Sequence, residues 1–137
     1  MYRDYQFEDL KGKIIKAIEG GEVGDDRIVF YMSDGEKYRL IYHQDCCASC
    51  SIEDVCGDLY DLIGNELIVA EEVCNVDTEP AEKFPDSYTW TYYKLDTIKG
   101  GVVIRYYGSS NGYYSEEATF EKYDVIRARW VASERIK

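Results

Sequence analysis

The run Tyr88-Thr89-Trp90-Thr91-Tyr92-Tyr93-Lys94-Leu95 constrains the fold more than any other part of the chain. Tyr88, Trp90 and Tyr92 recur at every second position with Thr89 and Thr91 between them, and a period of two marks an extended strand. Lys99-Gly100-Gly101 then turns the chain back into Val102-Val103-Ile104-Arg105-Tyr106-Tyr107. Two strands joined by so short a glycine turn must pair antiparallel. Ser110-Asn111-Gly112 supplies a second turn into Tyr113 to Phe120, which predicts a three-stranded C-terminal meander.

Similar punctuation recurs upstream. Lys13 to Glu19 alternates and stops at Gly20-Gly21, and Arg27 to Met32 is separated by Ser33-Asp34-Gly35 from Glu36 to His43, a hairpin signal because Asp and Gly tolerate positive φ. Cys50 to Val55 reads as a short strand and Asn65 to Asn75 as a buried one. Between them Gly57 to Gly64 reads as one or two helical turns, with Asp58 at the N-terminus, Leu59, Leu62 and Ile63 facing inward and Gly64 as the stop. The prediction is an α+β fold, a mostly antiparallel sheet of about seven or eight strands with one or two short helices. No long helix separates the strands, which argues against a doubly wound parallel sheet.

A chain of 137 residues with 45% hydrophobic side chains can bury one core, so residues 1–137 are expected to form a single domain, with 124–137 a C-terminal element docked through Trp130. No apolar run is long enough to cross a membrane, and Met1-Tyr2-Arg3-Asp4-Tyr5 lacks the apolar core of a signal peptide, so a cytoplasmic protein without membrane contact is expected. The net charge of −11 resides entirely between Asp45 and Asp86, where twelve acids face the single base Lys83. That excess argues against direct binding to a nucleic-acid backbone, and it makes Glu71, Glu72, Asp77 and Glu79 candidates for contact with a basic partner.

Chemistry-bearing motifs are sparse. Cys46, Cys47, Cys50 and Cys56 crowd one segment beside His43, yet they offer one C-x2-C pair where a structural zinc site uses two, so no metal is expected. His43 is the only histidine, and adjacent strand positions face opposite ways, so proximity to the thiols does not make a nucleophile and base. Asp54, Asp58 and Asp61 follow helical spacing without an EF-hand pattern, and Gly20 to Gly24 lacks the Lys-Ser/Thr of a phosphate loop. No cofactor and no catalysis are expected. The remaining excess is tyrosine, fourteen residues concentrated beside Trp90. Tyr and Trp offer large contact area at low entropy cost, and Arg adds a planar fork of donors, so Arg105, Tyr107, Asn111, Tyr113 and Arg27 are candidates to line a ligand pocket. The competing reading is that these aromatics fill the core face of the sheet.

Asp45-Cys46-Cys47, Ile52-Glu53-Asp54-Val55, Gly57-Asp58-Leu59, Asp61-Leu62-Ile63-Gly64, Ala70-Glu71-Glu72, Tyr88 to Tyr93 and Ser110 to Ser115 together resemble a family of small uncharacterised proteins carried on phage and prophage genomes. The resemblance implies a small accessory protein acting in the host cell. The size and layout are also similar to phage sponges that neutralise the Thoeris defence by sequestering a cyclic ADP-ribose signal. On that resemblance the expected function is non-catalytic sequestration of a nucleotide-derived immune signal, at an aromatic and arginine-lined pocket of a homo-oligomer. The alternative is an acidic inhibitor that occupies the basic nucleic-acid groove of a host defence nuclease or CRISPR effector.

Overall fold

The computed structural model describes residues 6–44, 48–75, 79–81, 87–111 and 116–133. Nine strands are present among them: β1 (Ile15–Gly20), β2 (Arg27–Met32), β3 (Lys37–Ile41), β4 (Ala48–Cys56), β5 (Val69–Asn75), β6 (Ser87–Thr97), β7 (Gly100–Ser110), β8 (Thr119–Asp124) and β9 (Arg129–Ala132). Two 3-10 helices accompany them, Phe7–Leu10 and Leu59–Leu62. The mostly antiparallel class therefore holds. The single sheet does not: the strands divide into a five-stranded sheet ordered β1-β2-β3-β8-β9 and a four-stranded sheet ordered β4-β7-β6-β5.

The predicted hairpins form as their turns dictate. Ser33-Asp34-Gly35 joins β2 to β3, with Phe30 opposite Tyr38. β6 turns into β7 at Ile98-Lys99, one residue earlier than expected, with Gly100 and Gly101 already in β7 opposite Thr97 and Asp96, Trp90 opposite Tyr107 and Tyr92 opposite Arg105. The meander is corrected at its third strand. After β7 the chain does not turn back beside it. Gly108 lies under the backbone of Glu116, so close that a Cβ there would overlap the Glu116 carbonyl oxygen. The Glu116 carboxylate accepts from Ser87 Oγ at 2.6 Å and Thr89 Oγ1 at 3.1 Å of β6. From there the chain enters the other sheet, where β8 pairs with β3. The C-terminal element is strand β9, which pairs with β8 and brings Trp130 opposite Tyr123.

One apolar core joins both sheets. Ile28, Phe30, Tyr38, Leu40 and Phe120 come from the first, Ile52, Tyr93, Leu95, Val102, Ile104 and Tyr106 from the second, and all are buried. Phe7 of the first 3-10 helix bridges the layers, with its ring 5.0 Å from Tyr93 and 5.3 Å from Phe120. The Tyr106 hydroxyl of β7 donates across the core to Asp26 O at 3.2 Å and Leu40 O at 3.4 Å. Burial pushes that phenol well above its ordinary range, so it stays a donor. The second 3-10 helix matches its sequence reading: the Asp58 side chain accepts from Tyr60 N at 2.9 Å, Leu62 is buried, Leu59 and Ile63 pack against the core, and Gly64 takes φ of 89°.

A small ion network ties the ends of the five-stranded sheet. Glu36 accepts from Lys13 Nζ at 2.9 Å and from Lys122, joining the β2–β3 turn to β8 and to the chain before β1. Burial raises the Glu36 carboxyl, but the hydrogen bonds from Lys122 and Lys13 outweigh it and hold the group at about 2, against 4.5 ordinarily. A carboxyl depressed by folding stabilises fully above its unfolded pKa and loses that contribution as pH falls through the folded one. Denaturant unfolding at pH 6 and pH 3 is therefore expected to show Glu36→Gln losing about 1–2 kcal/mol relative to wild type at the higher pH and less at the lower, the bridges being partly screened by solvent. An equal deficit at both pH values would remove the network from the account.

Candidate functional site

Which face of the second sheet carries the aromatics decides what they can do. In β6 the buried inward residues are Thr91, Tyr93, Leu95 and Thr97, so the alternating set Tyr88, Trp90 and Tyr92 projects from the outer face. In β7 Val102, Ile104 and Tyr106 turn inward, while Val103, Arg105, Tyr107 and Ser109 turn outward. Register then assembles a patch: Trp90 faces Tyr107 and Tyr92 faces Arg105, with Asp54 of β4 opposite Arg105 on its other side. A bulge between Ile52 and Asp54 shifts the β4 register here.

Arg105 is the centre of this patch. Its Nε donates to Asp54 Oδ1 at 2.6 Å and its second nitrogen to Asp54 Oδ2, a bidentate pair with each side chain about one-third exposed. The guanidinium lies 5.4 Å from the Trp90 ring and 5.8 Å from that of Tyr92. Hydrogen bonds from Arg105 hold the Asp54 carboxyl below its usual range, and the same pairing raises the guanidinium above its own. Trp90 and Tyr107 are packed with ring centroids 4.8 Å apart, and both are buried although they project from the outer face. The Trp90 Nε1 donates to Glu79 O at 2.9 Å, which lays the chain after β5 over this face. The aromatics thus neither fill the core face nor stand open: they form a second, shallow apolar layer outside the sheet.

Of the residues expected to share a pocket, Arg105 and Tyr107 share this face, and exposed Asn111 lies just beyond the end of β7. Arg27 does not join them. It stands on the outer face of the other sheet, beside Asp26 at 3.1 Å, because Ile28 and Phe30 take the inward positions of β2. Tyr113 lies outside the described residues, as do Cys46, Cys47 and Asp77. Cys50 is buried in the core of the four-stranded sheet, whereas His43 Nε2 lies 2.8 Å from Glu121 on the far side of the other, so the imidazole and that thiol are not brought together. Cys56 is exposed, with its thiol 3.8 Å from Asp54. Among the described residues no group of three or more His, Cys, Asp or Glu is placed to hold a metal ion, and no helix is long and apolar enough to cross a membrane.

Sequence reasoning missed a second cluster, on the outer face of the five-stranded sheet. Arg39 donates to buried Glu121 at 2.7 Å and stacks 4.3 Å from the Trp130 ring, while Lys37 lies 4.2 Å from the Tyr123 ring. The signal was the period of two in Lys37 and Arg39 and in Glu121 and Tyr123, legible only once β3 and β8 are known to pair.

The model of one family matches residues 8–120, from the second residue of the first 3-10 helix through the start of β8. The chain belongs to the DUF7448 family, a domain of unknown function. No curated protein and no solved structure matches it. The DUF7448 match holds the whole Arg105 patch and stops at Phe120, leaving β9 and Trp130 outside it.

Proposed function

We propose that this DUF7448 protein works by binding a macromolecular partner, without catalysis, and that its contact surface is the acidic one running from Glu53 to Glu79. One observation carries this reading: charge is segregated between the layers. The strands of the five-stranded sheet hold six bases against three acids, and those of the four-stranded sheet two bases against five acids. Glu53, Asp58, Glu66, Glu71 and Glu79 are exposed and take part in no ion pair among the described residues. The central base of this side, Arg105, is already neutralised by Asp54. Such a surface attracts a basic groove over a Debye length and repels phosphate.

On the resemblance to phage-carried proteins, the partner we propose is the nucleic-acid groove of a host defence nuclease or CRISPR effector, met in the host cytoplasm. The second reading, sequestration of a nucleotide-derived signal, is favoured by Arg105 and Tyr107 sharing one face with Trp90 and Tyr92. It is weakened because the arginines do not gather, and because a phosphate at Arg105 must displace the Asp54 carboxylate.

Capture of host proteins on immobilised chain, at about 0.05 M and about 0.5 M salt, separates the two. The acidic reading expects a basic protein held at low salt and released at high salt, and loss of about tenfold or more of its binding when Glu71→Gln, Glu72→Gln, Asp77→Asn and Glu79→Gln are combined. Salt-independent capture indifferent to the four substitutions overturns it. Native mass spectrometry showing a retained nucleotide, lost in Arg105→Met, would install the second reading instead.

A further inference from the structure

Edge strands expose unpaired backbone groups, and among the described residues the outer edge of β1 is left open along most of its length. At the edge of β4, Ile52 donates to Asp25 O at 2.9 Å and accepts from Gly24 N at 2.8 Å. At the edge of β5, Glu72 N donates to the Glu8 side chain at 2.9 Å. The outer edge of β1 is bridged only at its beginning, where Ile14 pairs with Glu66 and Ile15 with Ile63, and Gly64 N donates to Ile15 O at 2.9 Å. Beyond Ile15 no backbone bond joins the strand to the Leu59–Ile63 segment, whose Leu59 side chain returns beside Gly21 and closes the far end of the space between them.

Register says which groups are left over. Gly21 N donates to Arg27 O at 3.3 Å, so Glu19 and Ala17, two and four residues earlier, direct their amides and carbonyls toward β2. Ile18 and Gly20 therefore direct theirs outward, and among the described residues nothing takes those bonds. The space they face is an open cleft of about 200 Å3 lined by Ile18, Gly20, Glu22, Leu59, Tyr60 and Ile63. Tyr60, 78% exposed, stands at its mouth. Glu22 is the carboxylate among the lining residues, and the flanking segments 20–26 and 58–63 add Asp25, Asp26, Asp58 and Asp61 with no lysine or arginine. The charge around the cleft is therefore negative even with Asp26 paired to Arg27 and with exposed Lys16 two residues before Ile18.

We propose that this wedge is a peptide-binding groove, in which an extended segment of a protein partner adds as a strand to β1, places an aliphatic side chain against Ile18, Leu59 and Ile63, and presents lysine or arginine to the acidic walls. The backbone supplies the paired donors and acceptors, the cleft accepts alternate side chains, and the carboxylates choose a basic peptide over an acidic one. The groove borders the acidic surface at Asp58 but shares none of Glu71, Glu72, Asp77 and Glu79, so the fourfold substitution that tests the acidic surface leaves the groove intact and the two readings fail separately.

The test titrates the 15N-labelled chain with the blocked peptide Lys-Ile-Lys-Leu-Lys-Ile, followed by amide shifts and hydrogen exchange. The expected result is saturable binding that shifts and protects the Ile18 and Gly20 amides, weakens about tenfold in Tyr60→Ala, and disappears in Ile18→Pro. Tyr60→Ala removes an exposed ring, and Ile18→Pro removes an outward amide, so both keep the β1–β2 ladder, which circular dichroism verifies. The peptide N-methylated at alternate amides should not bind, and its glutamate counterpart should bind about tenfold less well. Absence of saturation up to ~5 mM of the lysine peptide, or shifts elsewhere that both variants leave unchanged, overturns the proposal.

Discussion

Gly108→Val is expected to yield protein that fails to fold or whose unfolding free energy is lower by more than about 4 kcal/mol. The reason is the crossing after β7. Gly108 is on the inward side of the strand, and the Glu116 backbone lies directly on it, so any Cβ overlaps the Glu116 carbonyl oxygen. Backbone at both sides is fixed, by the β6–β7 ladder on one and by Glu116 bonding Ser87 and Thr89 on the other. Relief would require the connection to lift, and with it β8, which holds one edge of β3 and contributes Phe120 to the core. Gly24→Ala is the comparison: nothing lies within 4 Å of its added Cβ, and only its φ of 93° is strained. That change should cost about 1 kcal/mol. Denaturant unfolding of the two variants checks the pair, and equal losses would mean that the crossing is not where the fold is fixed.

Phe120→Ala is the second large effect, expected at about 3–5 kcal/mol. The side chain is 1% exposed. It stacks on Tyr38 at 5.4 Å with planes 1° apart and meets Phe7 edge-on at 5.3 Å. Phe7 in turn touches Tyr93 of the opposite sheet, so removing the Phe120 ring opens a cavity where both layers and the first 3-10 helix meet. Against a typical total of about 5–15 kcal/mol, such a loss removes about a fifth of the stability or more. A shift of the denaturation midpoint corresponding to under about 1 kcal/mol would show that the sheets are held together elsewhere.

Three elements show how far local signals reached. The β2–β3 and β6–β7 hairpins were legible because Asp34-Gly35, and the glycine pair that opens β7 just after the Ile98-Lys99 turn, act over a few residues, and the Leu59–Leu62 turn because Asp58 and Gly64 cap it locally. The third meander strand was misplaced because nothing near Ser110-Asn111 reveals that Gly108 is roofed by Glu116. The candidate site divides in the same way. Arg105 and Tyr107 were found together since they are two residues apart on one strand, whereas Arg27 was grouped with them on residue type alone and stands on the opposite side of the molecule.

The sequence by itself determined most of the strands, the β2–β3 and β6–β7 hairpins, the alternation of Tyr88, Trp90 and Tyr92, and the acidic excess between Asp45 and Asp86, since each depends on backbone periodicity, turn chemistry or composition within a short window. Tertiary structure decided that the strands split into two layers, that the aromatic stripe faces outward, that Asp54 claims Arg105, and that β1 keeps an open edge. Those outcomes depend on register and burial between segments distant along the chain, and a period of two says that a strand has two faces without saying which one the core will take.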